Sequence, residues 1–214
     1  MLTKMGKRAR TTYDAVAPEY AEHFRNELDG KPLDRELLQR FAAKLKGQGI
    51  VLEVGCGPGQ VGDYIRQFGV TVYGSDLSYV SLVAGRSVYG EVPYVQSDML
   101  ALCVADETVV GVLAFYAIVH LSNAELDAAI REMYRTLRPG GTAFLAFHIG
   151  EETRHIDEFL GKQVDIEFQF FRTERVVASL EAAGFQRIEP TEREPYPEAE
   201  HPSRRAYVFA TKPE

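Results

Sequence analysis

An apolar run, Ile50-Val51-Leu52, passes through Glu53 and Val54 into the turn Gly55-Cys56-Gly57-Pro58-Gly59. Glycines at the carboxyl end of a buried strand let a ligand approach the backbone, because no Cβ stands in the way. Their spacing departs from the dinucleotide fingerprint G-x-G-x-x-G, since Gln60 occupies the place of its third glycine. Glu53 sets a carboxylate just before the turn, which would repel a pyrophosphate and suits a ligand bearing an ammonium group. Asp76, in Val72-Tyr73-Gly74-Ser75-Asp76-Leu77-Ser78, stands where a carboxylate can accept from both hydroxyls of a ribose. Capping the following helix is its structural alternative. A third acid, Asp98, lies in Val95-Gln96-Ser97-Asp98-Met99-Leu100 beyond another strand, where Ser-Asp also suits a plain turn. His120, in Ala114-Phe115-Tyr116-Ala117-Ile118-Val119-His120-Leu121, can act as a general base, because imidazole titrates near neutrality. Packing or capping at a loop start is the alternative for it.

Two further groups carry chemistry-bearing side chains. His148, Glu151, Glu152, His155 and Asp157 have metal-ligand types, and a helix there would bring Glu151 and His155 onto one face. No metal is expected, because no other ligands converge on them by sequence and a solvated helix accounts for the pattern. His148 is the reserve candidate for a base. Glu198, His201, Arg204 and Arg205 precede the last strand, where the cations could meet an anionic substrate or simply decorate the surface.

The elements that position these residues follow from periodicity. A helix is expected from Thr11 or Thr12 through Tyr13, Val16, Tyr20 and Phe24, interrupted near Pro18. A second, about 32–46, has the stripe Leu33, Leu37, Leu38, Phe41 and Leu45. Strands at about 50–54, 70–74, 92–96, 109–115 and 142–147 alternate with helices at about 60–68, 78–88 and 123–137, the pattern of a parallel sheet with right-handed crossovers. Alternation over Val164, Ile166, Phe168 and Phe170 suggests a strand; a helix from Thr173 to Ala183 and strands at about 185–192 and 205–211 close the chain.

The string Leu52-Glu53-Val54-Gly55-Cys56-Gly57-Pro58-Gly59 resembles the first motif of the class I S-adenosylmethionine-dependent methyltransferases, and Asp76, Asp98 and the segment around His120 follow in that family's order. Leu137-Arg138-Pro139-Gly140-Gly141 is similar to the loop before its fifth strand. Asn or Asp followed by Pro-Pro-Tyr, found in the branches that methylate nucleic acid or protein glutamine, is absent after Phe115. The resemblance therefore implies the small-molecule branch. It implies a doubly wound, Rossmann-like α/β sheet of seven strands in order 3-2-1-4-5-7-6, the last antiparallel, with N-terminal lid helices. S-Adenosylmethionine is the implied cofactor, with Gly55, Cys56 and Gly57 under its methionine part and Glu53 toward its amino group. Asp76 would take the ribose, Leu77 the adenine face, and Asp98 and Met99 the adenine edge. Ala114 and Phe115 complete the implied site, and Tyr13 and Tyr20 would fold over it from the N-terminal helix.

The implied reaction moves a methyl group to a nucleophilic atom of a small-molecule acceptor, with His120 as base and proximity and desolvation supplying most of the rate. A protein that binds the cofactor without turnover, or a nicotinamide-dependent oxidoreductase, are the alternatives. A single domain is expected over 1–214, with a disordered tail at 1–10, lid helices at 11–46 and a cover for the acceptor site at 150–171. A net charge of −7 argues against nucleic acid, whose binding rests on Lys and Arg. Two cysteines are too few for a disulfide-stapled domain, and no stretch suits a signal or a membrane span, so a cytoplasmic monomer or homodimer is expected.

Overall fold

The computed structural model describes residues 2–90, 92–197 and 200–214. Seven strands form one sheet: β1 (Ile50–Val54), β2 (Thr71–Asp76), β3 (Tyr94–Gln96), β4 (Val109–Phe115), β5 (Leu137–His148), β8 (Gln186–Arg193) and β9 (Arg205–Thr211). Their order is β3-β2-β1-β4-β5-β9-β8, and β9 runs antiparallel to both neighbours. This is the expected doubly wound topology. The strand numbers shift by two because β6 (Thr153–Phe159) and β7 (Lys162–Gln169) pair with each other in a separate hairpin. Pro190 lacks a backbone donor and is accommodated because β8 is an edge strand.

The helices are α1 (Lys4–His23), α2 (Pro32–Leu45), α3 (Gln60–Arg66), α4 (Tyr79–Val88), α5 (Asn123–Thr136) and α6 (Thr173–Ala183). On one face of the sheet, Leu126, Ile130 and Met133 of α5 and Val176 and Leu180 of α6 are buried against Val112, Leu145 and Val208. The spacing of the α5 residues puts them on one stripe, and a reciprocal capping box between Ser122 and Glu125 fixes where that helix starts, contributing about 0.5–2 kcal/mol. On the other face, Leu38, Phe41 and Leu45 of α2 and Ile65 of α3 cover Val51, Leu113 and Phe144. Phe144 stacks on Phe209 across the β5–β9 pair at 4.2 Å.

Four expectations need correction. First, residues 4–10 are not a disordered tail: α1 starts at Lys4, capped by the Thr3 side chain, and Arg8 is tied to Asp165 and Glu167 of β7 at 3.0 and 2.9 Å. Distant contacts order a segment whose own composition is that of a solvated tail. Second, α1 continues through Pro18, because Thr12, Val16, Ala17 and Ala21 bury a continuous face whose packing outweighs the missing backbone bond. Third, no helix spans His148 to Asp157; Thr153–Phe159 is a strand. Its hairpin turns at Leu160 and Gly161, both with positive φ (51° and 75°), the backbone of a type I′ turn. Fourth, Leu137 already belongs to β5: it pairs with Val109, and the next pair is Gly111 with Thr142, so residues 138–141 bulge out of the ladder.

Candidate active site

The carboxyl ends of β1, β2 and β4 open into a cleft. Of the cofactor residues expected from sequence, Tyr13, Tyr20, Glu53, Gly55, Cys56, Gly57, Asp76, Leu77, Asp98, Met99 and Phe115 line it, and so does His120. Ala114 does not. Successive side chains of a strand point to opposite faces, so Ala114 packs in the core beneath α5 while Phe115 faces the cleft.

Gly55 has φ +64°, and a Cβ there would stand 2.5 Å from that of Ala117 and 3.2 Å from the Met99 methyl. The missing side chain at Gly55 lets the turn close against Ala117 and Met99. Beneath it, Glu53 is 2% exposed, and its Oε2 has no hydrogen-bond partner among the described residues. Burial pushes its pKa up to about 8; the Gly62 amide opposes the rise, and Asp76 and Glu27 add to it. A buried carboxyl among other acids, with no cation paired to it among the described residues, has the electrostatics of a half-built ion pair.

Asp76 is committed to the backbone on both oxygens: Oδ2 accepts from the Gly57 amide and Oδ1 from the Ser78 amide, each at 2.8 Å. It is not the helix cap. Ser78 caps α4 through Oγ, which accepts from the Ser81 amide, and the same hydroxyl donates to Asp14 of α1 at 2.6 Å. A carboxylate has about four lone-pair sites, so Asp76 retains capacity for two hydroxyls after positioning the glycine turn. Asp98 Oδ1 accepts from the Leu100 amide at 2.9 Å.

His120 closes a 3₁₀ turn (Ile118–His120) after β4 and is buried. Its Nδ1 lies 2.8 Å from the Glu167 carbonyl and its Nε2 lies 3.0 Å from the Tyr13 hydroxyl. A carbonyl can only accept, so Nδ1 carries the proton and Nε2 accepts from the phenol. Burial lowers the imidazole pKa to about 4, with the Glu167 carbonyl opposing the fall, and burial raises the Tyr13 phenol well above its ordinary value.

A second cleft adjoins the first, and Tyr13, Tyr20 and Tyr116 line both. Tyr116 was not singled out from sequence. Its φ of +53° is a strained conformation for a bulky residue directly after β4, and its hydroxyl bonds Asp34 and Tyr207. Thr3, Gly6 and Arg10 also line the first cleft, hidden in the stretch read as a tail. The hairpin contributes Phe159 and Phe168 to the second, and β5 contributes His148.

The other two groups disperse. Glu151 pairs with Arg172 at 2.5 Å, Glu152 with Arg154 at 3.5 Å, and His155 lies 3.8 Å from Asp165. Among the described residues no group of three or more metal-ligand side chains converges. Arg204 is exposed beside Glu192 and Glu194, whereas Arg205 is 3% exposed and lines the second cleft with His201. Glu198 lies outside the described residues.

Residues 51–141 match the family described as "Methyltransferase domain". An uncharacterized methyltransferase of Geobacillus kaustophilus is 31% identical over 179 residues, which covers 79% of this chain and 81% of that protein. A malonyl-[acyl-carrier protein] O-methyltransferase of Enterobacter lignolyticus is 36% identical over 135 residues, 63% of this chain and 50% of that protein, so the chain spans about half the length of this relative. Among solved structures, a phosphoethanolamine N-methyltransferase 2 of Haemonchus contortus in complex with S-adenosyl-L-methionine shares the fold, with a TM-score of 0.76 at 19% identity over 100% of this chain and 61% of that one.

Proposed function

The chain belongs to the methyltransferases, and we propose that it transfers a methyl group from S-adenosylmethionine to a nucleophilic atom of a small-molecule acceptor. The observation that carries this reading is the buried Glu53 carboxyl, whose Oε2 has no hydrogen-bond partner among the described residues, beneath the Gly55 turn with Asp76 beside it. An amino-acid ammonium supplies the cation that Glu53 lacks, the glycines give the room such a ligand needs, and Asp76 offers its remaining lone pairs to a ribose. Leu77, Asp98 and Met99 would hold the adenine, and Phe115 would close the floor.

When bound, the cofactor supplies an electrophilic methyl group. Everything else falls to the chain's own residues. Tyr13, Tyr20 and Tyr116 line both clefts, so an acceptor in the second meets the first beside these rings. As the acceptor's nucleophile is methylated, the Tyr13 oxygen takes its proton and passes its own to Nε2 of His120, which the Glu167 carbonyl holds in the accepting tautomer. The aromatic walls exclude water, so proximity and desolvation supply most of the rate and the relay a smaller share. The hairpin roofs the acceptor.

Support for a small acceptor comes from the aromatic second cleft beside the first and from relatives named for methylating a malonyl group on a carrier protein. Among the described residues no helix is long and apolar enough to cross a membrane, and both cysteines are free thiols, which supports the cytoplasm as its location. Incubation with S-adenosylmethionine and a metabolite library, with S-adenosylhomocysteine as the readout, tests the activity. Binding of the cofactor without acceptor-dependent product from any compound would leave a binding protein instead.

A further inference from the structure

The second cleft is aromatic along its walls and basic at one end. Phe159, Phe168 and Phe170 come from the hairpin segment, and the basic end gathers Lys31, His148 and Arg154, and His201 and Arg205, from three stretches of the chain. Acids are present too, and Glu200 and Glu27 are already engaged. Glu200 takes both Arg193 nitrogens at 2.6 and 2.8 Å and the Tyr196 amide at 2.9 Å. Glu27 takes Lys31 at 3.0 Å and Gln60 at 2.9 Å. Glu158 is exposed near the turn of the hairpin, four residues along β6 from Arg154, roughly 13 Å at the rise of a strand.

Arg205 is engaged only in part. It is 3% exposed, its Nη1 donates to Ser203, and its Nε has no hydrogen-bond partner among the described residues; the Glu200 carboxylate is 3.7 Å away. Arg154 lies over the Phe170 ring at 5.3 Å and donates from Nη1 to Nε2 of His201 at 2.7 Å, a bond that an imidazolium could not accept. His148 is stacked on Phe170 at 5.1 Å, and its Nδ1 meets Ser203 Oγ at 2.8 Å. Both imidazoles are pushed below their ordinary pKa, by burial first and then by nearby cations, Arg205 acting on both. Positive charge in this corner already repels further positive charge.

We infer that the acceptor is an organic oxyanion: its carboxylate or phosphate docks on Arg205 and Arg154, its apolar body lies along Phe168 and Phe170, and its nucleophile points toward Tyr13. A guanidinium fork matches a planar or tetrahedral oxyanion, and the burial of Arg205 strengthens its contact. The inference rests on the methyl-transfer reading of the adjoining cleft.

Calorimetric titration tests it with four compounds that share a phenyl ring: phenylacetate, phenyl phosphate, 2-phenylethanol and 2-phenylethylamine. Each is titrated with and without saturating S-adenosylhomocysteine. At least one oxyanion is expected to bind about tenfold or more tightly than the alcohol and the amine. Which of the two oxyanions binds better identifies the docking group. Arg154→Gln, at a half-exposed position outside the core, should remove most of that preference and leave S-adenosylhomocysteine affinity unchanged. Equal affinity for all four, preference for the amine, or no binding of either oxyanion overturns the inference. Failure to bind S-adenosylhomocysteine overturns the methyl-transfer reading instead, while the oxyanion preference is still read from the titrations without it.

Discussion

The hydroxyl of Tyr13 and Nε2 of His120 meet at 3.0 Å across 107 residues of chain, with their rings edge to face at 5.4 Å. The pair joins the N-terminal helix to the end of the fourth strand at the border of the two clefts. Because the Glu167 carbonyl fixes Nδ1 as the donor, the phenol is oriented by the imidazole.

Replacing either member should slow turnover without displacing the cofactor. His120→Ala is expected to lower kcat by roughly 10²–10⁴, and Tyr13→Phe to lower it as well, with S-adenosylmethionine affinity within a few-fold of wild type. Steady-state kinetics with an identified acceptor checks this. Full turnover in Tyr13→Phe would remove the relay.

The same burial predicts how His120 responds to pH. Its folded pKa of about 4 lies below the ordinary 6.5, so the unfolded chain binds the proton more readily. Its contribution to stability is therefore complete above pH 6.5 and lost as pH falls toward 4. Relative to His120→Ala, the melting temperature of the wild type should drop over that window, and kcat should show no limb from this residue between pH 6 and 9. A limb centred near pH 6.5 that vanishes in His120→Ala would contradict the buried, neutral imidazole.

Glu53 behaves in the opposite sense. With a pKa of about 8 it is protonated at pH 7, and a ligand ammonium should drive it to ionise. Binding of S-adenosylhomocysteine is expected to release about one proton at pH 7, and affinity should rise from pH 6 to 8. Calorimetry in buffers of different ionisation enthalpy measures the release. Glu53→Gln should abolish it and weaken binding; unchanged proton release in that variant would assign the proton to another group.

Asp76→Ala should cost about 1.5–3 kcal/mol in S-adenosylhomocysteine affinity, the loss expected when a paired acceptor is removed. It should also lower the melting temperature, because the Gly57 and Ser78 amides lose their acceptor. Unchanged affinity in a folded variant would show that Asp76 serves the turn alone.

Helix α1 lines the cofactor cleft from Thr3 to Tyr20 and is anchored by side chains, through Arg8, Asp14 and Glu19. It is expected to act as a lid, so amide exchange between Lys4 and Phe24 should slow when S-adenosylhomocysteine is added. Equal protection with and without ligand would make it part of the static core.

The strand order came from the family resemblance, whereas the amino-acid sequence alone determined the alternation of strands and helices and the cofactor end of the cleft. Those features are local: each strand, its terminal glycine or acid and the following helix lie within a dozen residues, so periodicity and turn chemistry reveal them together. Glu53, Gly55 and Asp76 were legible for that reason. The acceptor side was decided only by tertiary structure. Leu160-Gly161 lacks the Asn-Gly or Asp-Gly signature of a type I′ turn, so the hairpin could not be told from a solvated helix. Lys4–Arg10 reads as a tail until Arg8 meets Asp165 and Glu167, which belong to that hairpin. Arg204 and Arg205 are identical neighbours in sequence, yet Arg204 precedes β9 and stays exposed beside Glu192 and Glu194, while Arg205 opens that strand and is buried in the cleft. Tyr13 and His120 were each suspected separately, but contact over such a separation depends on how α1 packs across the sheet, and packing of that range leaves no trace in local pattern.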